Sequence, residues 1–249
     1  MPADAVRIRT VFGLVHGSRV DALPVYRVGY KPDPWHWTPW EFADEHGRFT
    51  GRWDDPAGIW RTLYAGSSAL ACYLEVLAVF RADPVAARGM DDIAVEDADD
   101  LYPAIRPGEI PRAWREPRSI CSAELSGWFV LVGHYETLPT LRRQFLPMAK
   151  EYGLQDLDAA AIRDGKHRRL TQAMSAWIYT LSTPNGDPTT GIQFDSRHGD
   201  QLTLWAIYER SASTASPPEI ANYSGTQDIT EQDADLTEAM HIHHLTWAT

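Results

Sequence analysis

Residues 47–82, GRFTGRWDDPAGIWRTLYAGSSALACYLEVLAVFRA, read as strand, then turn, then helix. The run 59–65 is rich in aromatic and branched side chains, Gly66 breaks it, and Ser67 or Ser68 offers a helix N-cap. From Ala69 to Phe80 the only charge is Glu75. A helix that is apolar nearly all round is a buried one. A carboxylate on it must reach a wet pocket or find a partner, because burying it bare is costly. Just upstream stand Arg52, between Gly51 and Trp53, and Tyr64 at the strand's end. Together they suggest a pocket with one anion-binding cation, one aromatic platform and one carboxylate. The competing reading has Glu75 pointing to solvent from a helix edge, as most helical glutamates do.

Around this stretch, strands and helices mix without regular alternation, which favours an α+β domain on a single mixed sheet over a doubly wound one. Residues 24–29, 91–95, 127–135, 192–194 and 202–208 read as strands. Residues 141–152 and, more weakly, 156–163 have helical patterning. In 168–181 the apolar residues Leu170, Ala173, Met174, Trp177, Ile178 and Leu181 recur at helical spacing until Pro184-Asn185-Gly186 stops them. A last helix is expected near Thr230, where Thr230-x-x-Asp233 resembles a capping pattern. The loop 31–44 holds Pro32, Pro34 and Pro39 with Trp35, Trp37 and Trp40. It reads as an aromatic rim around the pocket in preference to a covering layer. The expected organisation is a leader of unassigned structure at 1–23, a main domain at 24–210, and an acidic extension at 211–249.

Bulk properties narrow the function. The chain has 249 residues, enough for one substantial core, and ten tryptophans. A net charge of −11 argues against a nucleic-acid duplex or an anionic membrane as partner. It does not argue against a phosphorylated small molecule held by a local arginine cluster. Cys72 and Cys121 are too few for a disulfide framework. The first twenty residues contain no signal-peptide run, and no stretch reaches transmembrane length, so a soluble, cytoplasmic protein is expected.

Several pieces, taken in order, resemble the RES domain, named for its Arg, Glu and Ser and found in toxins of bacterial Xre–RES toxin–antitoxin pairs. Val25-Tyr26-Arg27-Val28 resembles the family's opening strand, and Gly51-Arg52-Trp53 its Gly-Gly-Arg-Trp-Asn signature. Leu63-Tyr64-Ala65 followed by Leu74-Glu75-Val76-Leu77 resembles its Leu-Tyr-x-Ala strand and Glu-Val helix. The run Gly191-Ile192-Gln193-Phe194-Asp195-Ser196-Arg197 resembles its late strand. The likeness spans residues 24–210. Thr50, Asp54 and Phe194 depart from the pattern, standing where glycine, asparagine and tyrosine are usual.

The resemblance implies an ADP-ribosyltransferase-like fold and an enzyme that degrades NAD+ at the nicotinamide–ribose bond, by phosphorolysis with inorganic phosphate or by hydrolysis. NAD+ is then the substrate, and no metal or resident cofactor is called for. It also implies a neutralising Xre-type antitoxin, expected to engage the rim at Trp35, Trp37 and Trp40, with a lid made of residues 211–249 as the alternative cover. Glu75 would favour the cationic ribose of the transition state. Arg52 and Arg27 would grip the pyrophosphate, Tyr64 would hold the nicotinamide ring, and Trp53 would line the substrate site beside Arg52. Ser196 would hydrogen-bond the ribose or carboxamide. The catalytic group is thus Arg52, Glu75 and Ser196, and the binding group Arg27, Tyr64 and Trp53. The rival functions are an ADP-ribosyltransferase acting on a protein, and a domain that binds a nucleotide or partner without turnover. His241-x-His243-His244 lacks a second ligand group with metal spacing and reads as a solvated tail or a strand with one histidine face.

Overall fold

The computed structural model describes residues 5–82, 106–164, 166–223 and 226–248. The strand expected at 91–95 lies outside the described residues. Ten strands are described: β1 (Ala5–Thr10), β2 (Gly13–Tyr30), β3 (Thr62–Gly66), β4 (Glu109–Ile110), β5 (Arg118–Leu131), β6 (Gly191–Ser196), β7 (Gly199–Tyr208), β8 (Ile220–Ala221), β9 (Gln227–Asp228) and β10 (Thr246–Trp247). The helices are α1 (Ala69–Leu77), α2 (Leu138–Glu151), α3 (Ala159–Asp164), α4 (Arg168–Tyr179) and α5 (Ala234–His243).

The local grammar of the opening stretch explains its elements. The Asp55 carboxylate accepts from the backbone N–H of Ala57 (3.0 Å) and Ile59 (2.6 Å). This Asx-type coiling keeps residues 55–60 out of the sheet, so β3 starts at Thr62 rather than at Ile59. Ser68 caps α1, its hydroxyl accepting from the Ala71 N–H at 3.1 Å. The helix expected near Thr230 forms as α5, but its cap is Asp233 rather than Thr230, through the N–H groups of Asp235 and Leu236.

Eight strands form one mixed sheet in the order β1-β2-β3-β7-β6-β5-β8, with β9 also on β5, and β2 additionally paired along β5. Only β5 and β6 run parallel within it. Because β2 pairs with both β3 and β5, strands β2, β3, β7, β6 and β5 close a ring. The β2–β3 closure consists of one residue pair, Tyr26 with Gly66. Beyond that pair the two strands part.

The closed ring has two faces with two cores. All the helices pack on the outer face, where Trp53, Tyr73, Leu77, Leu141, Met174, Phe194 and Leu236 belong to one cluster. The enclosed face carries a second cluster without helical residues, in which Val25, Leu63, Ala65, Ala123, Phe129 and Trp205 meet Trp35 and Trp37 from the loop after β2. The described parts of the expected leader and acidic extension both belong to this fold. Residues 5–23 supply β1 and the first half of β2, and residues 211–248 supply β8 and β9 on β5, α5 against α1, and β10 on β4.

Candidate functional site

Glu75 lies in the middle of α1, half-buried on the outer face. Strand alternation puts Ile192, Phe194 and Ser196 of β6 on that same face. The Ser196 hydroxyl donates to Glu75 Oε1 at 2.7 Å and accepts from the His198 backbone N–H at 3.0 Å. Ser196 is 0% exposed. With no accessible surface, Ser196 holds Glu75 here rather than presenting its hydroxyl to the open side where a ribose or carboxamide was expected. Among the described residues, Glu75 Oε2 receives no hydrogen bond.

Arg52 comes to the same place from the 51–54 turn. Its guanidinium stands 5.5 Å from the centre of the Phe194 ring, and the residue as a whole is 7% exposed. Burial pulls its pKa down, the attraction of Glu75 opposes that, and Arg168 and Arg197 add repulsion. Among the described residues Arg52 makes no hydrogen bond and no ion pair, so the neighbouring Asp54 and Asp55 do not neutralise it. Both are used locally: Asp55 on backbone as above, and Asp54 by accepting from the Gly51 N–H (2.5 Å) and the Tyr64 hydroxyl (2.8 Å). Desolvation raises the pKa of Asp54.

The turn is held from three sides. The Tyr64 hydroxyl, besides donating to Asp54, accepts from the Trp53 N–H at 2.9 Å. A Cβ at residue 51 would stand 2.5 Å from Asp54 Oδ2 and 2.6 Å from the Tyr64 hydroxyl, which is why glycine occupies it. From α4, Gln172 Nε2 donates to the Gly51 carbonyl (3.0 Å) and the Ser175 hydroxyl to the Trp53 carbonyl (2.6 Å). Sequence reasoning missed both; polar residues on the buried stripe of an amphipathic helix were the available signal. Trp53 is 0% exposed, its ring 5.6 Å from Phe194. It exposes no surface here and packs against Phe194, next to Arg52 in the chain, rather than lining an open site as expected. The Tyr64 hydroxyl is committed to the turn, so only its partly exposed ring could meet a ligand.

Two histidines complete the neighbourhood. His198, in the β6–β7 turn, packs edge-on against His243 of α5 with ring centres 4.8 Å apart. His243 Nε2 lies 2.8 Å from the Leu74 carbonyl and so donates to it. The expectation that His243 belongs to a solvated tail or a strand is corrected: it is a buried link between α5 and the Glu75 helix. Desolvation brings the His198 pKa down to about 4, with Glu75 opposing and His243, Arg197 and Arg81 reinforcing the shift. Neutral imidazoles, one held carboxylate and the cations Arg52, Arg81, Arg168 and Arg197 give a local positive field in a chain of net charge −11.

Arg27 is not part of this group. It alternates with Tyr26 and Val28 of the outer core, and so shares the enclosed face with Val25. Its Nε donates to the Pro34 carbonyl and its Nη1 to the Tyr64 carbonyl, each at 2.7 Å, filling the gap where β2 and β3 part. Trp35 and Trp37 are 4% and 3% exposed and plug the ring; only Trp40, at 39%, is open to a partner. Cys72 is buried, and desolvation pushes its thiol up to about 12, unlike a nucleophile. Among the described residues, His16, His134 and Glu136 bring ligand-type atoms within 4.8 Å of one another. The two imidazoles stack at 3.8 Å and 13°, so their in-plane lone pairs do not converge on one ion. Arg7 already holds Glu136 in a fork at 3.1 and 2.5 Å.

No family model, no curated protein and no solved structure matches this chain. Among the described residues, no helix is long and apolar enough to cross a membrane.

Proposed function

We propose that this chain degrades NAD+ by breaking the nicotinamide–ribose bond, in the manner of the RES domains it resembles and on an ADP-ribosyltransferase-like variant of the mixed sheet. The observation that carries the reading is the Ser196–Glu75 pair beside Arg52, which has no hydrogen bond or ion pair among the described residues, because residues far apart in the chain meet as one carboxylate and one cation. The bond's electron pair leaves with nicotinamide, which departs neutral, while positive charge grows on the ribose. Glu75, with Oε1 tied by Ser196, directs Oε2 toward that charge. Arg52, helped by Arg168 and Arg197, grips the pyrophosphate. Arg27, on the enclosed face, takes no part in that grip. Water or inorganic phosphate then bonds to the ribose carbon and releases a proton, giving ADP-ribose or its phosphorylated form.

A chain that consumes NAD+ needs restraint, and a small Xre-type antitoxin is the cover we propose. Residues 211–249 are less suited to a lid, since α5, β8, β9 and β10 are integral to the fold. With Trp35 and Trp37 buried, the aromatic anchor for such a partner reduces to Trp40. The test is incubation of purified protein with NAD+, with and without phosphate. Nicotinamide release that requires phosphate supports phosphorolysis, and release without it supports hydrolysis. Label transferred to protein would favour an ADP-ribosyltransferase, and intact NAD+ under every condition a binding domain.

A further inference from the structure

A cleft of about 740 Å3 opens where β2 and β3 part, lined by Arg27, Tyr30, Trp37, Phe42, Phe49 and Arg61. Its size is that of a small-molecule site, and the mouth of a strand ring is a common place for one. Its walls are aromatic rings and prolines, yet Phe42 and Tyr30 are 69% and 61% exposed, large apolar rings left standing in water. The charges around it are spoken for, with one exception. Arg61 is forked onto Glu209 at 2.8 and 2.5 Å and stacks under Trp37 and Trp40. Lys31 pairs with Asp228 at 2.6 Å, and Asp33 faces His36 at 3.6 Å. Arg27 gives hydrogen bonds to two carbonyls but has no carboxylate partner among the described residues. Burial lowers its pKa, the signature of a guanidinium whose charge is poorly compensated. Gly29 allows this arrangement, because a Cβ there would stand 2.6 Å from the Pro34 carbonyl that Arg27 binds.

A cation with no carboxylate partner among the described residues, lining an aromatic cleft, is complementary to a ring bearing a negative group. We propose that this cleft binds a small planar aromatic anion, its ring against Phe42 and Phe49 and its carboxylate or phosphate group on Arg27. The site is separate from Glu75, which works on the outer face of the ring, and the proposal does not depend on the NAD+ reading.

Calorimetric titration of the full chain with 1-naphthyl phosphate, 1-naphthol and inorganic phosphate tests it. The aryl phosphate is expected to bind one to one and at least ~10-fold more tightly than either fragment, the worth of one charge-assisted contact added to ring burial. Arg27→Gln, which keeps an N–H donor but removes the charge, should erase the preference for the phosphate over 1-naphthol. Phe42→Ala, at an exposed position, should weaken both aryl ligands about 10-fold without touching the core. Glu75→Gln should leave the titrations with the two aryl ligands unchanged. Unaltered aryl phosphate binding in the Phe42→Ala protein overturns the proposal, as does inorganic phosphate binding as tightly as the aryl phosphate. Loss of binding in the Glu75→Gln protein would overturn it too, by assigning the ligand to the outer face.

Discussion

Ser196→Ala separates orientation of Glu75 from contact with substrate. The substitution removes a hydrogen bond to a carboxylate and leaves the His198 N–H without its acceptor. A hydrogen bond to a charged group contributes about 1.5–3 kcal/mol, and an orphaned buried donor costs about 1–3 kcal/mol. The two losses overlap, so urea unfolding should show a destabilisation of about 2–3 kcal/mol. The methyl side chain leaves Glu75 free to change rotamer. Misplacement of a catalytic group by about 1 Å costs on the order of 10²-fold, so turnover of NAD+ should fall by roughly 10- to 100-fold. KM should move little, because Ser196 has no surface with which to touch the dinucleotide. Steady-state nicotinamide release, run beside the unfolding curves, checks both. A Ser196→Ala protein with wild-type stability and a raised KM but unchanged kcat would refute the reasoning and return Ser196 to direct substrate contact.

Arg52→Met should be as stable as the parent, or more so by up to about 1–2 kcal/mol, because it replaces a buried charge that has no ion pair among the described residues with an apolar chain of similar length; its KM for NAD+ should rise at least ~10-fold. Stability loss in that variant would point to a structural ion pair. The imidazole of His198 should titrate by NMR near its shifted value of about 4 rather than 6.5. A depressed histidine pKa stabilises the fold fully above the unfolded value of 6.5, so this contribution should fade as pH drops from 6.5 toward about 4. Deleting residues 211–249 strips Leu236, Ala239 and Met240 from α1 and removes the His243–Leu74 hydrogen bond. Circular dichroism should show loss of folding rather than a soluble, more active enzyme.

The opening stretch carried its own structure because its signals are local: a branched run, a glycine, a serine cap and an apolar helix. The ends carried less. Residues 5–10 become a strand by pairing with the first part of β2, but residues 17–23 are fixed by pairing with β5 more than a hundred residues away, and the break at Val20/Leu23 interrupts their period. The tryptophan loop has the composition of a pocket rim, and only closure of the ring turns Trp35 and Trp37 into its plug. Arg27 was separable in principle, since strand alternation sets it on the face opposite Tyr26 and Val28. For His198 no pattern of spacing exists; it reaches the site only through the β6–β7 turn and the packing of α5.

Nicotinamide release from NAD+ by the wild-type chain and by Glu75→Gln, measured side by side on folded protein, tests the catalytic reading most directly. The variant keeps size and hydrogen-bonding capacity and removes the charge, so its turnover should fall by at least ~10²-fold with folding and NAD+ affinity little changed. A wild-type chain that leaves NAD+ intact, or a Glu75→Gln protein that turns over at the wild-type rate, would contradict it.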